Sequence, residues 1–382
     1  MSQPNGRARR PIPTAVVLAT TFVLAISASI ARAQALARPI RLCAGGDVTL
    51  GTNLDPKWAR FAADTLRRVF AMSPEPDSLA TQLTPLVSGA DVVLLNVEGA
   101  IGSGPAPQKC GRRSTACFAF RQPASAAGAL RHAVDSGAVL VGNVANNHSH
   151  DAGDAGHDST IARLQAAGIF VTGADTIATA VSLPSGDTIA VLGFHTDTDS
   201  PDARDLDAVR RHVRRAADRY PIVVVTMHLG AEGPSAQRTR NKNERFLGSN
   251  RGNPVGFADA AFAGGATMVI GHGPHVLRAA EWRGDRLVFY SLGNLLTYGP
   301  FKLRDPTDRG AVVCATIDSV ARVSNAEIRP TMQIWPGVLQ SDSTHRAWRL
   351  IDSLSALDFP RTGARVDSTG RVDKPRARVK NR

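Results

Sequence analysis

Beyond residue 30 the chain has no long apolar run, no segment repeats at a fixed period, and only four of its 382 residues are cysteine. The first two absences exclude a membrane bundle and a solenoid. The third limits the chain to two disulfides at most. A basic stripe is lacking too, although the formal charge is +12. Arg7, Arg9, Arg10 and Arg32 supply four of those charges, and residues 361–382 carry eight basic against two acidic side chains, which leaves +2 for residues 34–360. A nearly neutral folded part without a recognised nucleic-acid motif excludes a nucleic-acid partner.

What is present begins with an export signal. A basic start, an apolar stretch at about residues 15–30 and Ala31-Arg32-Ala33 as a small-x-small site read as a signal peptide, residues 1–33, cut after Ala33. An uncleaved N-terminal anchor is the alternative, but the stretch is short for a ~20-residue span and holds two Thr and two Ser. No cysteine follows closely enough for a lipid anchor. In an exported chain the four cysteines permit disulfides. Cys110 and Cys117 bracket CGRRSTAC and would close a short loop if bonded; Cys43 and Cys314, in strand-like runs, are either core thiols or a second bridge if those strands are neighbours.

From residue 38, short apolar runs alternate with helix-like stretches, the pattern of an α/β fold. The runs IRLCAGG, VVLLNV, AVLVGNV, GIFVTG, TIAVLGF, IVVVTMH, TMVIGH, LVFYSLGN and AVVCATI predict strands, with helices near 78–88, 124–136, 154–167, 204–218 and 255–263. Runs that are apolar without alternation require cover on both sheet faces. The polar stretch 230–254 is a long excursion whose Arg and Lys residues either meet an anionic substrate or lie on a solvated surface. Residues 336–382 read as a peripheral addition, with a helix near 344–357 and a disordered basic tail from 361.

Polar clusters end the strand-like runs: Gly46-Asp47, Asn96-x-Glu98, Asn146-Asn147-His148, Met227-His228 and His272-x-Pro274-His275. In open α/β sheets ligands bind outside the carboxyl ends of the strands, so these clusters predict one crevice. Their donors are those that divalent metals take. Asp47 is a metal ligand or a turn residue. Asn96 and Glu98 end a run too apolar to hold them unpaired and would share a strand face; they bridge metals, or Asn96 caps a turn. Asn147 and His148 after a buried strand let one group bind metal while the imidazole points at the substrate as general acid or electrostatic stabiliser, or they belong to a surface Asn-rich turn; Asp151 or Asp154 caps the next helix. His228 is a ligand or a core histidine. Pro274 stiffens the turn that holds His272 and His275 apart at the spacing a metal pair needs.

The order GDVTLG, LLNVEG, ANNHSHDAG, VVVTMHLGAE, VIGHGPHVLRAAE, VFYSLGNL resembles the CapA family of poly-γ-glutamate capsule synthesis proteins, itself similar to the calcineurin-like metallophosphoesterase superfamily. The resemblance implies a four-layer α-β-β-α sandwich over residues 38–335. It implies two divalent ions, Mn, Fe or Zn, with Asp47, Asn147, His228, His272 and His275 at ligand positions and His148 at the catalytic one. Thr49 stands where the superfamily has His, Asn-x-Glu replaces the bridging Asp region, and the last His pair is spaced by an extra residue; these changes speak against ordinary phosphatase activity. The expected role is synthesis, export or attachment of poly-γ-glutamate or a related envelope polymer, in the periplasm or cell envelope and with a membrane-bound polymer-synthesis complex as partner. A metal-dependent phosphoesterase with another substrate and a non-catalytic polymer-binding scaffold are the alternatives.

Overall fold

The computed structural model describes residues 36–51, 55–102, 118–196 and 201–375. β1 (Ile40–Leu50) is buried along its whole length except at Arg41. It is flanked on one side by the parallel strands β2 (Val92–Val97), β3 (Val139–Asn143) and β4 (Phe170–Thr172). A second sheet carries β5 (Thr179–Ser182), β6 (Thr188–His195), β7 (Val223–His228), β8 (Met268–His272), β9 (Ala280–Arg283) and β10 (Arg286–Phe289), in the order β9-β10-β8-β7-β6-β5. β11 (Asn294–Tyr298) returns to the first sheet, parallel to β1. On the other side of β1 follow β12 (Arg309–Ile317), β13 (Val323–Ile334) and β14 (Val338–Ser341), all antiparallel.

Three buried clusters separate four layers. Leu42, Val92 and Val141 of the first sheet meet Val191, Val224 and Ile270 of the second. Outside the first sheet, Cys43, Val93 and Leu140 pack under α1 (Pro56–Val69), α2 (Ala126–His132) and α3 (Gly153–Ala166), through Leu66, Leu130 and Leu164. Outside the second, Val225 and Val269 pack under α4 (Leu206–Ala217) and α5 (Pro254–Gly264), through Val213 and Ala261. The α/β sandwich expected from the apolar runs is the one observed.

Strand period 2 explains where the polar ends point. On β2, Val92 and Leu94 face the second sheet, and so does Asn96; on β3, Val141 and therefore Asn143 do. The same count puts His228 with Val224 and His272 with Ile270. β1 needs a correction to its phase. Leu42 and Ala44 face the second sheet, yet Val48 and Leu50 lie under the helices, because the register shifts between Ala44 and Asp47. A one-residue slip flips every following side chain, and it turns Asp47 inward. Gly46 permits the slip: a Cβ there would lie 2.0 Å from the Gly293 carbonyl oxygen.

The C-terminal part departs from the sequence reading. No boundary falls at residue 335: β13 and β14 extend the first sheet, and Ala347 and Ile351 of α6 (Arg346–Asp358) lie in the core between the sheets. Against the disordered tail expected from 361, residues 361–375 are structured: Arg365–Val366 pairs with Val372–Asp373, and Ala364 and Val372 are buried; residues 376–382 lie outside the described residues. Those few apolar residues suffice because they fill gaps at the end of an existing core. Cys43 and Cys314, register partners on β1 and β12, form a disulfide. Cys110 and Cys117 lie outside the described residues.

Candidate metal centre

Two rows of register partners face each other at the carboxyl ends of the parallel strands. Asp47 pairs with Asn96, and Asn96 with Asn143, in the first sheet. His195 pairs with His228, and His228 with His272, in the second. Turns beyond the rows add Glu98 after β2 and His275 after β8. The Glu98 backbone is fixed by its own N–H donating to the Val48 carbonyl at 2.9 Å and by the Thr49 hydroxyl donating to the Glu98 carbonyl at 2.6 Å. Thr49 thus serves the backbone beside the centre. His275 sits at φ 57°, a left-handed conformation that a non-glycine residue holds only when its surroundings enforce it.

Asp47, Glu98 and His275 each offer a ligand atom within 4.8 Å of the others. His275 Nδ1 lies 3.0 Å from Asp47 Oδ2, and its Nε2 3.6 Å from Glu98 Oε1. His272 Nδ1 is 3.5 Å from Asp47 Oδ1, and His228 Nε2 is 3.8 Å from Glu98 Oε1. Asn96 Nδ2 donates to Asp47 Oδ1 at 2.8 Å and stands 3.3 Å from His228 Nδ1. Asn294 Oδ1 approaches His275 Nδ1 to 3.1 Å. Behind them Asn143 and Asn146 both donate to Asn96 Oδ1, at 2.8 and 3.3 Å.

Burial shapes the charges here. Burial pushes the Glu98 carboxyl up to about 8, helped by the negative charge of Asp47. Burial alone would lower His275, but Glu98 and Asp47 raise it to about 10. The same two histidines that face Asp47 hold its carboxyl well below the usual range against the effect of burial. Burial also drives His228 well below its ordinary value, which keeps it neutral and its nitrogens available.

Both carboxylate oxygens of Glu98, both ring nitrogens of His272 and Nε2 of His228 are buried and make no hydrogen bond. Leaving so many polar atoms unpaired would cost several kcal/mol at about 1–3 each. They are nitrogen and oxygen donors of the kinds a divalent ion takes, and they surround the group Asp47, Glu98 and His275. The chemistry of this donor set fits such an ion.

His148 stands at the edge, its Nε2 4.0 Å from Glu98 Oε1. Its Nδ1 is 2.6 Å from Asp151 Oδ2, which also accepts from the Phe120 N–H at 2.7 Å. The Phe120 ring lies 4.6 Å from the imidazole, centre to centre. Asp151 therefore orients His148 and does not cap α3, whose N-cap is Ala152 with no side-chain bond; nor does Asp154, already inside the helix. Asn147 is half-buried on the turn between them.

The structure thus brings together Asp47, Asn96, Glu98, His228, His272 and His275, with His148 beside them. Residues 41–298 match the family described as bacterial capsule synthesis protein PGA_cap. The chain belongs to that family. Among curated relatives, the capsule biosynthesis protein CapA of Bacillus anthracis is 28% identical over 184 residues, covering 43% of this chain and 41% of that one. The PGA biosynthesis protein CapA of Bacillus subtilis (strain 168) is 28% identical over 170 residues, 40% of this chain and 41% of the relative. The matched part is thus about two-fifths of each relative's length. Of solved structures, a 5'-nucleotidase precursor from Thermus thermophilus is similar at a TM-score of 0.36 and 11% identity, covering 85% of this chain and 59% of that one. Those values are too low to say anything about this site.

Asn143, Asn146 in its bracing role, Asp151 as the partner of His148 and Glu232 are not among the residues expected from the sequence. Asn143 carried the same signal as Asn96, a polar residue closing a buried run. Glu232, two residues past Gly230 in LGAE, lies with Oε2 3.9 Å from His275 Nε2.

Proposed function

We propose that this PGA_cap protein is exported and acts through a divalent-metal centre on poly-γ-glutamate or a related anionic envelope polymer, beside a membrane-bound synthesis complex. The observation that carries the metal reading is the convergence of Asp47, Glu98 and His275 with buried, unbonded donor atoms around them. Asp47, Glu98, His228, His272 and His275 would hold one or two ions, with Asn96 bracing Asp47 from behind. Bound there, a divalent ion polarises a carbonyl or phosphoryl oxygen and lowers the pKa of water.

The chain's own residues do the rest. With Asp151 accepting at Nδ1, His148 carries its proton there and presents Nε2 toward the centre, able to take or give a proton at that atom. Phe120 shields the pair from water, and the Asp151 carboxylate stabilises the imidazolium that forms. A pure binding scaffold has no need of a buried His-Asp pair aimed at its centre, so this pair supports catalysis over the scaffold reading. The family and the fold leave the substrate open. Export is supported by the order of the N-terminal signal and by the Cys43–Cys314 disulfide, which suits an oxidising compartment. Purified protein supplied with Mn, Fe or Zn should cleave a γ-glutamyl polymer in preference to simple phosphoesters. Cleavage of phosphoesters alone would transfer the assignment to a phosphoesterase of unrelated substrate.

A further inference from the structure

The excursion 230–254 is not a loose surface loop. A turn at Pro234–Ala236 and a hairpin of Arg245–Phe246 with Ser249–Asn250 give it structure, and its backbone is tied down around one arginine. The Arg251 N–H donates to the Glu244 carbonyl at 2.9 Å, and the Arg251 carbonyl accepts from the Gly230 N–H at 2.7 Å. Glu244 is itself held by Arg278, which donates from both terminal nitrogens at 3.0 and 2.8 Å, and by the Ala231 N–H at 2.7 Å.

The Arg251 side chain is only 8% exposed. Nε donates to the Gly230 carbonyl at 3.3 Å. Nη2 lies 2.9 Å from Glu232 Oε1, yet outside hydrogen-bond geometry, so this buried nitrogen makes no hydrogen bond. Arg278 closes on Glu244 with two hydrogen bonds, whereas Arg251 is ion-paired with Glu232 without a hydrogen bond from Nη2, and Glu232 is the carboxylate that also faces His275. The Arg251 charge is near enough to act on Glu98 and His228.

We propose that Arg251 recognises the anionic group of the substrate, a carboxylate or a phosphoryl oxygen, and holds it against the centre formed by Asp47, Glu98 and His275. This rests on the metal reading above and names the substrate class for the same site. A planar guanidinium offers paired donors that match carboxylate and phosphate oxygens, which a lysine cannot reproduce. The rigid frame from Glu244 and Arg278 holds it ready.

The test titrates inorganic phosphate and, separately, γ-glutamylglutamate into the full chain supplied with manganese, for wild type, Arg251→Met and Arg251→Lys. Metal content and thermal stability are measured alongside. Wild type is expected to bind at least one probe, Arg251→Met to bind it at least tenfold more weakly at unchanged metal content, and Arg251→Lys to fall between. The probe that binds tells the phosphoryl source from the carboxylate one. Failure of wild type to bind either probe overturns the proposal. So does equal affinity in the Met variant, or lowered stability with unchanged affinity, the signature of a structural latch. Should Arg251→Met not fold, Arg251→Lys decides: affinity equal to wild type contradicts recognition by the fork. Absence of metal from wild type would instead count against the metal centre itself, so the two failures are separable.

Discussion

Replacing His148 by alanine separates metal binding from chemistry. The imidazole reaches the centre only through Nε2, 4.0 Å from Glu98, so His148→Ala should keep its metal while activity falls by about 10²–10⁴-fold, the range for a positioned acid or base. Asp151→Asn should act more mildly, by about tenfold or more, because it removes only the group that orients the ring. Activity and metal content measured on both variants check this order, and loss of metal from His148→Ala would contradict it. At this scale the sequence was legible wherever a polar residue closed an apolar run: Asp47, Asn96, His228 and His272 all announce themselves that way. Glu232 and the role of Asp151 were not legible. Glu232 takes its meaning from His275, far along the chain, and Asp151 from the turn geometry that brings it back onto His148 three residues earlier, which spacing alone does not distinguish from a helix cap.

Among the elements, β1 and β2 are tied at their starts by Asp91. Its carboxylate accepts from Arg38 Nη2 at 2.5 Å and from the Arg41 N–H at 2.7 Å. Burial would raise this carboxyl, but the hydrogen bonds from Arg38 and Arg41 hold it below its ordinary value. A depressed folded pKa means stability that is present above the unfolded value and lost as pH falls. Wild type should therefore melt above Asp91→Asn at neutral pH, with the gap closing below about pH 4, the ordinary range of Asp. Thermal melts of both proteins from pH 7 to pH 3 give the result, and a gap independent of pH would exclude the ion pair as its source. The disulfide is a second cross-link on β1. It spans 271 residues of sequence, and breaking it by Cys314→Ser should cost about 2–5 kcal/mol in denaturant unfolding. Each apolar run does hold a strand, though in LVFYSLGN β10 ends at Phe289 and β11 begins only at Asn294, and β5, β9, β11, β13 and β14 were not expected. β13 was missed because VSNAEIRPTMQI mixes polar residues with Pro330 and does not look like a sheet interior, although β12 and β14 flank it. α1 was missed as well, since only Ala62 and Leu66 of its fourteen residues are buried, despite the Asp55-Pro56 start signal.

For the whole molecule, the sandwich follows from runs that need cover on both faces, while the inclusion of residues 336–375 in it follows from core gaps that no local pattern reports. The export proposal predicts a mature N-terminus at or near Gln34, read by N-terminal sequencing of protein recovered from the envelope fraction. A soluble cytoplasmic product starting at Met1 would remove it. The proposed metal centre draws on both sheets through their register rows, and elemental analysis of the purified full chain beside His272→Ala and His275→Ala is its decisive test. Bound divalent metal is expected in wild type and sharply lower content in both variants, since each loses a ligand and not merely its support. Equal metal content in all three proteins would contradict it.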